Sequence, residues 1–186
     1  MRIISGKLKG KNISFLKSSD TRPLKDSVKE SIFNIITHSK LLNLKLEKSN
    51  VLDLYSGFGS FGLECISRGV ETITFVEKNE NIAKILKKNL SNLNIKININ
   101  LVVDSTTNFL MKNFSNKYEI IFLDPPYINN SYIEDLKLIK QKKTYKKNHV
   151  VIIHREIKSF EDFNKILDPI LIKEYGRSKI IFGRFL

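Results

Sequence analysis

The residues of this chain best suited to chemistry are Asp124-Pro125-Pro126-Tyr127, which follow the apolar run Ile120-Ile121-Phe122-Leu123. Four apolar residues that stop at an acid and two prolines predict a buried parallel strand with an abrupt carboxyl end. In open α/β sheets, that edge is where ligands bind. Proline fixes φ and has no backbone N–H, so the loop is expected to be a stiff acceptor surface whose carbonyls meet no competing donors. Asp124 adds a carboxylate and Tyr127 a flat ring. Together they suit an aminated base, its exocyclic hydrogens accepted while its ring stacks. Without such a ligand, the four residues read as an ordinary strand-to-loop turn.

A second set has the spacing of a nucleotide site. Asn50-Val51-Leu52-Asp53-Leu54 leads into Gly57-Phe58-Gly59-Ser60-Phe61-Gly62 and then a helical pattern that ends at Arg68-Gly69. Strand, glycine turn and helix are the context in which this pattern binds a nucleotide. The next strand, Thr72-Ile73-Thr74-Phe75-Val76, ends at Glu77, where an acid can hydrogen-bond ribose hydroxyls. A dinucleotide would set its pyrophosphate at the helix N-terminus, and the nearby Asp53 carboxylate would repel it. S-adenosylmethionine carries an ammonium, a sulfonium and a ribose but no phosphate, so Asp53 is expected to favour it. As a helix cap, Asp53 would need no ligand. Leu101-Val102-Val103 ends at Asp104-Ser105, which would accept from an adenine amino group and donate to a ring nitrogen. Asp104 could instead cap the helix through Asn108-Phe109-Leu110.

The elements that must position these residues alternate as an α/β fold. Helical patterns cover 28–36, 79–93 and 132–140, a fifth strand 150–153, and a closing antiparallel pair 170–172 and 179–182 around Gly176-Arg177-Ser178. Chain length allows one main core, taken as a domain over 21–186 behind an arm over 1–20. Lys and Arg number 32 against 19 acids, a formal +13. Such an excess points to a polyanion. It is concentrated at Arg2, Lys7, Lys9, Lys11, Lys17, Arg22 and Lys25, opposed there only by Asp20. Gly6 and Gly10 bracket a turn, so the arm is expected to be a protruding β-hairpin that tracks phosphates. A disordered basic tail is the alternative. Lys140, Lys142, Lys143, Lys146 and Lys147 read as a solvated face or a second binding surface. His149 and His154 show no paired ligand pattern and are read as structural, and no metal cluster is expected. The lone Cys65, the lack of a leader and the lack of a long apolar run predict a soluble cytoplasmic protein.

Asp53-Leu54-Tyr55-Ser56-Gly57-Phe58-Gly59 with Asp124-Pro125-Pro126-Tyr127 resembles an S-adenosylmethionine-dependent amino-methyltransferase. Met1-Arg2-Ile3-Ile4-Ser5-Gly6, Gly10, Arg22-Pro23, Asp26, Val28-Lys29-Glu30, Phe33-Asn34, Gly62-Leu63-Glu64 and Ser67-Arg68-Gly69 narrow the resemblance to the RsmD family. This resemblance implies a Rossmann-like class I methyltransferase fold: a mostly parallel seven-stranded sheet with an antiparallel C-terminal pair, plus the small N-terminal β-hairpin arm. It implies methylation of the N2 amino group of one guanine in 16S ribosomal RNA, with naked rRNA or a partly assembled small subunit as partner; separately from the resemblance, a monomer is expected. Asp124, Pro125, Pro126 and Tyr127 would then be catalytic. Asp53, Gly57, Gly59, Glu77, Asp104 and Ser105 would bind S-adenosylmethionine, and Arg2, Lys7, Lys9, Lys11 and Arg22 would bind RNA. The chain departs from the family pattern at Leu24-Lys25, where Thr-Thr is usual, and at Phe58, where a small residue is usual. Adenine-N6 methylation fits the same loop, and a non-catalytic RNA-binding assembly factor fits the arm alone.

Overall fold

A computed structural model describes residues 1–16, 24–112, 115–127 and 130–186. Strands β1 (Asn50–Leu54), β2 (Thr72–Glu77), β3 (Asn98–Val103), β4 (Tyr118–Leu123), β5 (Tyr145–Glu156), β6 (Leu167–Tyr175) and β7 (Ser178–Phe185) alternate with α1 (Asp26–His38), α2 (Ser60–Ser67), α3 (Glu80–Ser91), α4 (Thr106–Met111) and α5 (Tyr132–Lys142). The strands form one sheet in the order β3-β2-β1-β4-β5-β7-β6. Neighbours from β3 to β5 are parallel, and β7 runs antiparallel to both β5 and β6. The mostly parallel sheet and closing pair are therefore as expected.

Continuous apolar runs are needed because helices cover both faces of the sheet. Ile120 and Phe122 of β4 join Val51, Phe75 and Ile152 in a core against α1, α2 and α3, where Phe33, Phe61 and Phe122 stack at 5.2 and 4.0 Å. Ile121 and Leu123 face the other way, into a core with Leu54, Val151 and the buried sides of α4 and α5. Strand order reverses between β1 and β4, so the carboxyl ends of these two strands open a crevice. The glycine turn and the Asp124 loop leave from either side of it.

The first segment turns at Gly6 and Gly10, with Arg2 and Asn12 forming one antiparallel bridge. It does not stand off the molecule as expected. Ile3 and Ile13 are buried, and the buried Glu64 carboxylate accepts the N–H groups of Ile4 and Ser5 at 2.7 and 2.9 Å. Lys7 N–H reaches Ser67 O, and a Cβ on Gly6 would lie 2.1 Å from that same carbonyl. Burying the two isoleucines and pairing the orphan amides favour the docked form. Arg22, and the break expected at Thr21-Arg22-Pro23, lie outside the described residues.

Candidate active site

The loop between β1 and α2 is held from beneath and from one side. Asp53 is 1% exposed, and its Oδ2 accepts Gly62 N–H at 3.0 Å, near the start of α2. Burial pushes its carboxyl well above the usual carboxylate range; the Gly62 bond opposes this, and the charges of Asp124 and Glu77 add to it. Asp53 thus supports the turn from below, where the sequence had suggested a carboxylate facing a bound cation. Ser56 pins the loop to β2 through Val76 N–H, and Glu77 reaches across to it. Glu77 Oε2 accepts Gly57 N–H at 2.9 Å, while Oε1 accepts Asn79 N–H at 2.8 Å. Gly57 has φ +56, and a Cβ there would meet nothing within 4 Å, so its backbone faces open space. Gly59 has φ +83, and a Cβ would strike Leu86 at 2.4 Å.

At the end of β3, Asp104 Oδ1 accepts the N–H of its own neighbour Ser105 at 2.8 Å, and Oδ2 pairs with Lys112 at 2.8 Å. The hydrogen bond from Lys112 leads the effects that hold this carboxyl below its ordinary range. Ser105, and not Asp104, caps α4 by accepting Asn108 N–H. On the far side of the crevice, Tyr55 donates to Asp135 at 2.5 Å, and Thr107 donates to the same carboxylate. These contacts tie the start of the glycine turn to α5 and α4. Burial raises both the Tyr55 hydroxyl and the Asp135 carboxyl.

Asp124 follows β4, its N–H directed at Leu54 O at the end of β1. Its Oδ1 stands 2.8 Å from His154 Nδ1, and Tyr127 Oη stands 3.4 Å from His154 Nε2. The Tyr127 and His154 rings meet edge-on at 5.9 Å. Pro125 is buried and Pro126 exposed. The carbonyls of this loop are not donor-free as expected. Arg155, 1% exposed, donates to Pro126 O at 3.2 Å, Tyr127 O at 3.0 Å and Asn130 Oδ1 at 3.2 Å, with its guanidinium 4.6 Å from the Tyr132 ring centroid. His154 and Arg155 were missed as site residues because they stand thirty positions along the chain. The one available signal was a polar pair extending the apolar run Val150-Val151-Ile152-Ile153.

The acids at the ends of β1, β2 and β3 and the Asp124 loop therefore share one sheet edge. Lys112 and Arg155 reach that edge, but Lys7, read as RNA-binding, does not. Lys7 lies at the C-terminal end of α2, roughly 12 Å along the helix from the glycine turn at 1.5 Å per residue. Arg2, Lys7, Lys9 and Lys11 are all exposed, and Arg2 pairs with Asp26 at 3.5 Å. Of the later basic run, Lys140 and Lys142 donate to backbone carbonyls and Lys146 pairs with Glu119. Among the described residues, no group of three or more His, Cys, Asp or Glu is arranged to hold a metal, and no helix is long and apolar enough to cross a membrane.

Strand order, glycine turn and strand-end acids define the Rossmann-like methyltransferase class. A candidate methyltransferase from Escherichia coli, 22% identical, superposes with a TM-score of 0.85 over 100% of this chain and 97% of that one. A candidate methyltransferase solved in complex with SAH, 16% identical, gives 0.64 over 83% of this chain and 48% of its own. These likenesses concern the fold. A family model described as "Conserved hypothetical protein 95" matches residues 1–184. The "Ribosomal RNA small subunit methyltransferase D" of Buchnera aphidicola subsp. Acyrthosiphon pisum is 35% identical over 156 residues, 84% of this chain and 78% of that protein. The chain belongs to this family, the RsmD family.

Proposed function

We propose that this protein is an S-adenosylmethionine-dependent methyltransferase that modifies the N2 amino group of a guanine in 16S ribosomal RNA. The observation that carries the reading is Asp124, a partly exposed acceptor at the strand-end crevice, on a proline-stiffened loop that ends in an aromatic ring. The small-subunit rRNA activity in the names of relatives supports the substrate class, and the SAH complex of the structural neighbour supports the cofactor. Guanine N2 rests on the family resemblance.

The crevice fits that cofactor. Gly57 leaves open space where any side chain would intrude, and Glu77 borders it with a carboxylate whose remaining lone pairs suit ribose hydroxyls. When bound, S-adenosylmethionine would supply an electrophilic sulfonium methyl with a neutral thioether as leaving group, and the proton freed from the methylated nitrogen would pass to solvent. Asp124 accepts one amino hydrogen and the Pro125 carbonyl the other, which localises the nitrogen lone pair and aims it. Tyr127 stacks on the base. Because positioning carries the reaction, no strong base is required.

The test is transfer of labelled methyl groups to 30S particles, naked rRNA and duplex DNA by the parent and by Asp124→Ala. The parent should label small-subunit rRNA. Asp124→Ala should lose on the order of a hundredfold in rate, since a misplacement of about 1 Å in a near-attack geometry costs that much. Its melting temperature and cofactor affinity should stay near the parent's, and Asp124→Asn, which keeps one acceptor oxygen, should retain more activity than Ala. Labelling of DNA alone would move the substrate to adenine-N6 chemistry. Full activity of Asp124→Ala would remove the amine-orienting role.

A further inference from the structure

His154 lies one residue past Ile153, the last β5 position paired with β4. Sheet alternation turns it to the same face as Ile152, and there its ring meets both ends of the Asp124 loop. The side chain is 11% exposed, with Nδ1 2.8 Å from Asp124 Oδ1 and Nε2 3.4 Å from the Tyr127 hydroxyl. These partners select a tautomer. An ionised carboxylate only accepts, so Nδ1 carries a hydrogen, and whenever the ring holds one hydrogen alone Nε2 accepts from the hydroxyl. One imidazole therefore ties an acid and an aromatic ring, three residues apart in a loop, to a strand in the middle of the sheet. Arg155, pointing to the opposite face, grips the carbonyls of the same loop.

An acceptor orients an amine only if it has a single orientation itself. The Asp124 side chain is 23% exposed, and an untethered carboxylate at such a position samples several rotamers. From this geometry we infer that His154 is a positioning residue: it fixes Asp124 Oδ1, so that Oδ2 is left aimed at the amine, and sets the tilt of the Tyr127 ring. The inference rests on the function proposed above, which gives Asp124 its amine.

Two measurements test it and separate its failure from failure of that function. The chain has three histidines, so single substitutions assign their ring signals. Long-range proton–nitrogen spectra of the cofactor-free protein should show His154 protonated on Nδ1 with Nε2 as an acceptor, and Asp124→Ala should shift this ring toward the opposite tautomer. A hydrogen on Nε2 in the parent, or a ring unmoved by Asp124→Ala, would overturn the inference whatever the substrate proves to be. In methyl transfer to 30S particles, His154→Ala should lower kcat about tenfold or more, while S-adenosylmethionine affinity and melting temperature stay near parental values. His154→Asn, whose amide donates from close to the Nδ1 position, should recover most of the loss. Parental kcat in His154→Ala, or equal loss in the Ala and Asn variants, would also overturn it. If the parent methylates none of the nucleic acids offered, the function proposed above fails and the spectra alone decide whether His154 holds Asp124.

Discussion

Glu77 shows how a single carboxylate can serve both a loop and a ligand. It already accepts two backbone N–H groups, from Gly57 and Asn79, so it both shapes the glycine turn and borders the crevice. Loss of one charged hydrogen bond costs about 1.5–3 kcal/mol, and about 1.4 kcal/mol is a factor of ten in affinity. Glu77→Ala is accordingly expected to weaken S-adenosylmethionine binding at least about tenfold by calorimetry, and unchanged affinity would remove it from the site. Asp53 behaves differently because it is sealed beneath the turn. Its carboxyl is raised by burial above the ordinary value near 3.8. A raised acid contributes stability below the ordinary value and loses that contribution as pH climbs through the folded value. Asp53→Asn keeps an acceptor for Gly62 and has no charge to bury, so its stability relative to the parent should improve from about pH 4 upward. Urea midpoints that keep a constant gap across that range would mean that Asp53 is not held toward its neutral form. The residues that bind these strand ends together were only partly legible. Acids at strand ends announce themselves by abrupt changes in polarity, whereas the roles of His154 and Arg155 depend on a pairing between β4 and β5 that no local pattern encodes.

The same division holds for the elements. β1, β2 and β4 could be read because burial on both faces favours apolar and β-branched residues over most of each strand, and α3 because Asn79 supplies its cap. β3 was read three residues short since Asn98 and Asn100 interrupt its pattern at the sheet edge. β5 was read as four residues of twelve because its first turns of chain, from Tyr145 to Asn148, are polar and partly exposed. The first segment was the hardest, since its docking depends on Glu64, which sits sixty positions away and is fully buried. Glu64 also bonds Arg68 and lends its charge to Lys29, a buried ammonium whose pKa burial lowers and whose Nζ donates to Arg2 O. Removing one partner of a buried charge network typically costs about 3–5 kcal/mol. Glu64→Ala should lose about that much in urea denaturation and open the backbone at Lys7, Lys9 and Lys11 to trypsin. If the loss stayed below about 1 kcal/mol with no new cleavage, burial of Ile3 and Ile13 would be what holds the segment.

At the scale of the whole molecule, Lys7 and the glycine turn stand at opposite ends of α2. A formal +13 covers a protein whose crevice is edged by acids, and the exposed cations Arg2, Lys7, Lys9 and Lys11 lie on a segment docked along α2. Because α2 runs away from the crevice, the turn that carries Lys7 lies nearer the opposite edge of the sheet. A substrate that touched both places would have to span the length of α2, as a folded RNA can. Phosphate contacts made there would supply affinity without reading bases, and their signature is a dependence on salt. Each phosphate neutralised contributes about 0.7–0.9 to the log–log slope of affinity against salt, so four neutral replacements should flatten it by up to about 3.6. Binding of rRNA to the parent and to the variant with Arg2, Lys7, Lys9 and Lys11 all changed to Gln, measured across a salt series, reads this directly. S-adenosylmethionine affinity should be unchanged, because Glu77 is bonded to Gly57 and Asn79 and to none of these four side chains. The quadruple variant should also fold as the parent does: the segment docks through its isoleucines and backbone amides, and Arg2 loses only an exposed pair with Asp26. A slope that matched the parent's would show that the RNA does not reach this segment, and would assign its phosphates to cations elsewhere on the surface, with the run from Lys140 to Lys147 the first to neutralise in turn.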